Sequence, residues 1–161
     1  MLRIKNYLAI AAWIVVFQGL GFLLGFLTKN NLPLWYNGLV KSGLTPPSIV
    51  FSIVWSLLYI FLAVVGWRIW ERQKKHPNHE SKITWYLYTV QMMVNWLWTP
   101  IFFQFHLIGL GLGFLFLLIG LNSSLIFKLM KKHPIESLCF IPYLLWLVFA
   151  TYLNAVIYWW N

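Results

Sequence analysis

The sequence is poor in charged residues, and acidic ones are scarcest. Only 9% of the 161 residues are charged and three are acidic, whereas 61% are hydrophobic. A soluble globular protein has about 25% charged residues and covers its water-facing surface with them. The composition therefore predicts an integral membrane protein. The net charge of +9 has a better explanation in membrane topology than in nucleic-acid binding, and we expect no nucleic-acid partner.

Residue patterns typical of disulfides, metal sites and acid–base catalysis are also lacking. The one cysteine, Cys139, cannot form an intramolecular disulfide, and we interpret it as a small buried apolar residue. The four histidines match no zinc spacing, and there is no carboxylate pair or nucleophile–base arrangement. The sequence therefore predicts no catalytic residue, no metal site and no cofactor.

Long apolar runs dominate the chain. A membrane-spanning helix needs about 20 mainly apolar residues, and five such runs are present. They cover residues 7–27, 47–70, 83–105, 107–127 and 135–160. The first run is longer than the apolar part of a signal peptide, about 7 to 15 residues, and no cleavage motif follows it. We predict an all-α membrane protein, in which five transmembrane helices form one domain over residues 1–161.

The basic residues are divided unequally between the two ends of this bundle. With five spans, ten of the twelve Lys and Arg residues fall at one end and only Lys29 and Lys41 at the other. Loops rich in Lys and Arg face the cytoplasm. We therefore expect a multi-pass protein with its amino terminus in the cytoplasm and its carboxyl terminus outside. A basic chain of this type, without a signal peptide, favours a bacterial cell membrane.

Several polar and aromatic residues lie deeper in the spans than the membrane interface. At a rise of 1.5 Å per residue, Asn95 falls about 18 Å from the inner start of its span, where an amide needs a partner or water. The same arithmetic puts Trp55, Trp98, Ala150 and Asn154 in the outer half of the bilayer. These residues therefore share one level on different helices.

Helical spacing groups the deep residues into stripes. The stripes comprise Asn95, Trp98 and Thr99 on the third span and Trp146, Ala150, Leu153 and Asn154 on the fifth. Two interpretations are open for the amides. Each could hold the bundle together by an interhelical hydrogen bond, worth about 0.6 kcal/mol on average. Alternatively, the stripes line a small-molecule pocket, which is mostly apolar with a few fixed polar groups. We favour the pocket.

The sizeable outer loop, residues 28–46, carries its own aromatic residues, including Trp35 and Tyr36. A loop of this kind is expected to fold down as a lid over the outer mouth of the bundle. Pro46 and Pro47 would fix its exit into the second span, because proline suits a helix start.

Three stretches resemble a known family. They are WYNGLVKSGLTPPSIVFSIVWSLLY (residues 35–59), VNWLWTPIFF (94–103) and PYLLWLVFATYLNAVIYWWN (142–161). They closely resemble the TspO/MBR family, which comprises the tryptophan-rich sensory proteins of bacteria and the mitochondrial translocator protein. The likeness covers nearly the whole chain.

The resemblance implies a five-helix bundle, often a homodimer, in contact with membrane lipid. It implies binding of porphyrins such as protoporphyrin IX, or of synthetic benzodiazepine-type ligands, under the first outer loop. The ligand contacts that it implies are Tyr36, Pro46, Trp55, Asn95, Trp98, Trp146, Ala150 and Leu153, to which depth and spacing add Asn154.

The sequence departs from the family pattern in two places. Ser42, Gly43 and Leu44 stand where many members have a proline and a tryptophan, and no basic residue follows Lys132, so a sterol motif near the end is not supported.

Three functions are weighed. The favoured one is a sensory or translocator-like binding protein for porphyrins and other planar hydrophobic molecules. Passive transport of tetrapyrroles or lipids is the second; ion-coupled transport is disfavoured because the span interiors contain no ionisable acid or base. The third is light- or oxygen-dependent degradation of porphyrin, with electron transfer from Trp55 or Trp146.

Overall fold

The computed structural model describes residues 2–29 and 34–161. Within these residues the chain forms five long helices, one 3-10 turn at Tyr36–Gly38 and no strand. The helices are α1 Leu2–Thr28, α2 Ser48–Lys75, α3 His79–Phe103, α4 Ile108–Met130 and α5 Pro134–Trp160. Each helix coincides with one predicted apolar run, so the all-α prediction is confirmed.

The helices differ in how well they suit a membrane. α1, α2, α4 and α5 are long and apolar enough to span one, which supports an integral multi-pass protein. α3 is not among them, because its sequence mixes Gln91, Asn95 and other polar residues with the apolar ones. The prediction of five spans is therefore supported by composition for four helices, and α3 joins the bundle through its packing.

The helices form a closed ring. α1 packs on α2 and α3, α2 packs on α5, α5 packs on α4, and α4 packs on α3. α2 also contacts α3 across the ring. Short connections make α2, α3, α4 and α5 successively antiparallel, so the ends of α2 and α4 lie beside the starts of α3 and α5. We call this the basic end of the bundle, and the opposite end the loop end.

At the basic end, α3 begins about one turn earlier than the apolar pattern predicts, and side chains fix that start. The Asn78 side-chain oxygen accepts a hydrogen bond from the Ser81 backbone N–H at 2.8 Å, and the Ser81 hydroxyl accepts one from the Asn78 N–H at 3.0 Å. This reciprocal capping box satisfies backbone donors that a helix start leaves free. Helix boundaries thus follow capping, whereas apolar runs mark the part of the helix suited to lipid.

A glycine allows α2 and α3 to approach each other closely. The Tyr88 hydroxyl of α3 donates a hydrogen bond to the Leu62 carbonyl of α2 at 2.8 Å. A Cβ atom at Gly66 would overlap the Tyr88 phenol. Gly66 is therefore required by the position of Tyr88, which is itself 2% exposed in the core of the bundle.

Candidate ligand-binding site

The predicted site residues fall into two groups of contacts, and the first surrounds Trp55. The Trp55 ring lies 6.5 Å from Trp146 of α5, with the rings almost perpendicular, and 5.5 Å from Tyr59 (centroid distances). Phe51 packs against the other side of Trp146 at 5.5 Å. Both indoles are only half-buried. The structure thus brings Trp55 and Trp146 together as a pair between α2 and α5.

Asn95 lies next to this pair but is already occupied by hydrogen bonds. It is 2% exposed. Its side-chain nitrogen donates to the Tyr143 hydroxyl at 2.8 Å, and its oxygen accepts from the Tyr59 hydroxyl at 3.2 Å. Asn95 therefore links α3 to α5 and α2, which matches the interhelical alternative left open above. Its ligand contact stays a prediction.

The second group surrounds Gly111 of α4. A Cβ atom built there would lie 3.2 Å from the Asn154 side-chain nitrogen, 3.3 Å from a Phe102 ring carbon and 3.5 Å from the Trp98 indole nitrogen. Trp98 stacks on Phe102 with 5.2 Å between ring centroids. Residues from α3, α4 and α5 thus converge on one small volume.

Polar atoms in this second group have no partner among the residues that the structure describes. Asn154 is 2% exposed, and neither its side-chain oxygen nor its nitrogen makes a hydrogen bond there. The indole nitrogen of Trp98 is buried and unpaired in the same sense, as is that of Trp146 in the first group. Leaving such a group unpaired costs about 1 to 3 kcal/mol, so these atoms call for a ligand or ordered water.

The remaining predicted contacts lie on α5 and in the outer loop. Ala150 and Leu153 are buried on α5, between the levels of Trp146 and Asn154. Pro46 is half-buried just before α2. The helix begins at Ser48 with Pro47 as its N-cap, φ −55°, which agrees with the predicted role of the two prolines.

Aromatic residues of the outer loop pack on the loop ends of α3 and α4. Tyr36 lies 6.3 Å from Phe102 and 5.4 Å from Phe103, and Trp35 stacks on His106 at 4.1 Å, all between ring centroids. Burial raises the pKa of the Tyr36 phenol, which therefore stays neutral. The predicted loop spans residues 28–46, of which 30–33, including Pro33, lie outside the described residues.

The same loop is tied to α5 by hydrogen bonds. The Val40 backbone N–H donates to the Asn161 side-chain oxygen at 2.9 Å, and the Val40 carbonyl accepts from the Asn161 side-chain nitrogen at 3.1 Å. The hydroxyls of Ser42 and Tyr152 are 2.9 Å apart. These contacts hold the loop against the loop end of α5.

Lys41 stabilises the loop from within. Its ammonium group donates to the carbonyls of Tyr36 at 2.7 Å, Leu39 at 3.1 Å and Asn37 at 3.2 Å, and lies 4.9 Å from the centre of the Tyr36 ring. The ammonium therefore holds the 3-10 turn together.

A separate groove of about 280 Å³ lies between α1 and α3. Trp13, Phe17, Trp85 and Trp96 are among the aromatic residues that line it, and none of the predicted site residues does. Its walls are almost entirely apolar, which suits an acyl chain better than a ligand with charged edges. The groove is therefore not the predicted site.

Sequence reasoning missed the phenols of this region. Tyr59 and Tyr143 hold Asn95, and Phe51 and Phe102 pack on the indoles. The depth argument applied to Asn95 would have found the two tyrosines, because a phenol near mid-bilayer needs a partner as an amide does. Gly111 gave no signal, since glycine is common in membrane helices.

Comparison with known proteins gives the family of the chain. The TspO/MBR family model matches residues 12–160. The chain belongs to the TspO/MBR family. Its relatives include the tryptophan-rich protein TspO of Archaeoglobus fulgidus, 32% identical over 95% of this chain and 97% of that one. The human translocator protein is 32% identical over 77% of this chain and 73% of its own. Protein CrtK of Rhodobacter capsulatus is 32% identical over 74% of each chain.

The resemblance inferred from the three sequence motifs is thereby confirmed. The matched region contains most of α1, the other four helices and every predicted site residue. The names of these TspO/MBR relatives indicate sensing or translocation, and another of them is the tryptophan-rich sensory protein of Cereibacter sphaeroides, 27% identical. They do not name a ligand.

Proposed function

We propose that this TspO/MBR protein binds porphyrins and related planar hydrophobic molecules in the loop half of the bundle. It would act as a sensory or translocator-like receptor in a bacterial cell membrane, as a homodimer, with the basic end in the cytoplasm. The observation that carries the proposal is the unpaired carboxamide of Asn154. It is buried beside the unpaired Trp98 indole nitrogen.

The aromatic residues suit a flat ligand. Trp55 and Trp146 offer half-buried indole faces, and aromatic faces favour offset or edge-to-face contact with another ring system. An apolar macrocycle would bury its surface against these rings and against Ala150 and Leu153. This type of lining, with few polar groups, is typical of small-molecule pockets.

The unpaired polar atoms would then orient the ligand. The Trp98 indole nitrogen can only donate a hydrogen bond, whereas the Asn154 carboxamide can both donate and accept. A ligand with a polar edge would satisfy these atoms and regain the hydrogen bonds that burial removes. Asn95 would act mainly on the shape of the site, through its links to Tyr59 and Tyr143.

The outer loop would act as a lid over this region. Its support is the packing of Tyr36 on Phe102, which in turn stacks on Trp98. A ligand leaving towards the loop end would have to displace these rings or break the Val40–Asn161 hydrogen bonds. The lid would therefore slow ligand exchange more than it changes the chemistry of the site.

Substitution of the paired indoles tests the proposal. Trp55→Ala and Trp146→Ala should each weaken protoporphyrin IX binding at least tenfold, about 1.4 kcal/mol, because each removes an aromatic wall. The affinity is measured from the porphyrin absorbance during titration of the purified protein in detergent.

Trp159→Ala is the matched control, since Trp159 is 75% exposed on the lipid-facing side of α5. It removes an indole without touching the proposed site, so its affinity should stay within about twofold of the wild-type value. Equal losses for all three variants would contradict the assignment.

Passive translocation is a second candidate function, favoured by the groove between α1 and α3. A hydrophobic molecule could follow this apolar surface across the bilayer without entering the bundle. A vesicle assay would compare flux of protoporphyrin IX with and without an ion gradient. Protein-dependent flux that ignores the gradient supports passive translocation, and Trp13→Ala should reduce it. Flux equal to that of empty vesicles contradicts it.

A further inference from the structure

The basic end contains a polar cleft that the proposed ligand site does not use. Its volume is about 150 Å³, and its walls come from four segments: the end of α2, the start of α3, the end of α4 and the residue before α5. Pockets for drug-sized molecules are about 300 to 1,000 Å³. This cleft is therefore suited to a small polar group.

Cations predominate in its lining. Arg72 comes from α2 and Lys128 from α4, and Lys132 and His133 lie in the short connection between α4 and α5. Glu80 is the carboxylate that lines the cleft. The cleft thus joins basic residues from separate helices around one space, which differs from a row of lysines on one solvated helix face.

Ion pairs neutralise only part of the positive charge in and around the cleft. Glu80 accepts a hydrogen bond from the Lys132 ammonium at 2.6 Å. Just beyond the cleft, the buried Glu136 carboxylate, 3% exposed, accepts one from Arg72 at 2.8 Å and one from Arg68 at 2.9 Å. These two carboxylates pair with Lys132, Arg72 and Arg68, and Lys128 adds a fourth basic side chain. Positive charge is therefore in excess.

Lys128 is the source of this excess positive charge. Within residues 2–29 and 34–161 its ammonium makes no ion pair or hydrogen bond, although it is partly buried. Its charge nevertheless acts on the cleft, since the pKa of Glu80 is lowered by its hydrogen bond with Lys132, by the charge of Lys132, and also by Lys128.

Arg72 also has N–H donors that its ion pair with Glu136 does not use. One guanidinium nitrogen, Nη2, bonds Glu136, and the other N–H groups have no partner in the described part of the chain. Burial and the nearby Arg72 charge lower the pKa of His133. The imidazole is therefore neutral near pH 7 and can donate or accept a hydrogen bond.

We propose that this cleft binds a phosphate group, held by Lys128, Arg72 and His133. Arginine recognises phosphate through paired N–H donors, and lysine does so as a compact charge. Two sources carry this chemistry: the head group of an anionic phospholipid, and free inorganic phosphate. Basic pockets between transmembrane helices at the cytoplasmic side are typical binding places for anionic lipid head groups.

Two binding measurements distinguish the sources. In the first, the protein is reconstituted in phosphatidylcholine vesicles that contain spin-labelled phosphatidylglycerol or spin-labelled phosphatidylcholine. The immobilised fraction of each lipid is measured by electron spin resonance. In the second, inorganic phosphate is titrated into the detergent-solubilised protein at low salt and binding is followed by calorimetry.

The decisive variants are Lys128→Gln and Lys128→Gln/Lys132→Gln. Because Lys128 makes no ion pair or hydrogen bond within the described residues, its substitution removes charge without breaking a polar contact there. It should weaken binding of phosphatidylglycerol or of inorganic phosphate about fivefold, and the double variant should weaken it more than tenfold. The matched control is Lys82→Gln/Lys131→Gln, which removes the same charge from exposed residues outside the cleft.

The outcomes separate the possibilities. Preference for phosphatidylglycerol that only the Lys128 variants lose supports the site with a lipid source, and calorimetric binding of phosphate lost in the same way supports it with a soluble source. Equal losses in the control overturn the proposal, because they show diffuse surface attraction. Wild-type protein that binds neither probe also overturns it. None of these outcomes depends on porphyrin binding at the loop end.

Discussion

The Asn95 side-chain nitrogen donates a hydrogen bond of 2.8 Å to the Tyr143 hydroxyl. The bond joins α3 to α5 in the middle of the bundle, and a second bond joins Asn95 to Tyr59 of α2. A residue predicted mainly as a ligand contact thus links three helices. The structural and binding contributions of this region are separable by mutation.

Tyr143→Phe should destabilise the bundle without altering its packing. It removes one hydroxyl and leaves the Asn95 nitrogen unpaired. Hydrogen bonds between membrane helices contribute about 0.6 kcal/mol on average and up to about 1.7, and a loss in this range is expected. Unfolding in increasing SDS measures it. Tyr158→Phe is the control, since Tyr158 is 52% exposed; an equal loss there would contradict the role of the Asn95 bond.

Asn154→Leu should raise stability while lowering affinity for protoporphyrin IX. Leucine has the same branched arrangement of side-chain heavy atoms as asparagine, and it removes an amide that has no partner in the described chain. The unliganded protein should gain about 1 kcal/mol, the lower part of the cost of an unpaired buried group. Unfolding in SDS and porphyrin titration measure the two changes. A loss of stability with unchanged affinity would show that the amide serves the fold alone.

Gly66→Ala should destabilise the protein strongly, because the added methyl group would overlap Tyr88. Overpacking of this kind costs about 1 to 3 kcal/mol. Gly113→Ala is the matched control: a Cβ atom there meets nothing within 4 Å. Alanine in that helical position should be neutral or stabilising, by up to about 1 kcal/mol. Thermal unfolding of both variants in detergent tests the difference, and similar melting points would refute the close α2–α3 contact.

Asn161→Ala should loosen the outer loop. The Val40 amide would lose its acceptor, and a hydrogen bond of this type contributes about 0.5 to 1.5 kcal/mol. Hydrogen exchange at Val40 should therefore accelerate about two- to tenfold, as measured by NMR or mass spectrometry. Asn37→Ala alters another exposed loop amide and should leave the rate unchanged. An unchanged rate in Asn161→Ala would remove the basis for a tethered lid.

Lys132→Gln should raise the pKa of Glu80. The hydrogen bond and charge of Lys132 are the main reasons that this pKa is low, followed by Lys128. A carboxyl group with a lowered pKa in the folded state contributes stability above its unfolded pKa of about 4.3 and loses it as the pH falls through the folded value. The variant should therefore differ from wild type at neutral pH and converge with it in acid. Infrared or NMR titration of Glu80 measures the pKa, and an unchanged value would show that the pair does not form.

The helices were predictable because their apolar runs are long and clearly interrupted. The helix ends were less predictable. α3 starts at His79 because of the Asn78–Ser81 capping box, and the polar turns that flank the helices carry no hydropathy signal. The level shared by Asn95, Trp55 and Trp98 was inferred from the rise per residue, and Trp146 was grouped with Ala150 and Asn154 by helical spacing. The structure brings two of these indoles, Trp55 and Trp146, together across α2 and α5.

The hydrogen-bond partners of the buried side chains could not be predicted from the sequence. Depth and spacing treat Asn95 and Asn154 alike. Asn95 is nevertheless bonded to two phenols, whereas Asn154 has no partner among the residues that the structure describes. The difference depends on which helices are neighbours in the ring, and periodicity along one helix does not contain that information. The same holds for the basic cleft, whose residues come from segments up to about sixty positions apart.

The modest hydropathy of α3 has a consequence for biogenesis. A helix with Gln91 and Asn95 in its interior gains less from lipid alone than its neighbours do. The hydroxyls that satisfy Asn95 belong to α2, made before it, and to α5, made last. Independent insertion followed by later association therefore describes α3 poorly. We expect α3 to remain beside the translocation machinery or α2 until synthesis of α5 is complete. Insertion of α3 into the bilayer and its packing into the bundle would then occur together.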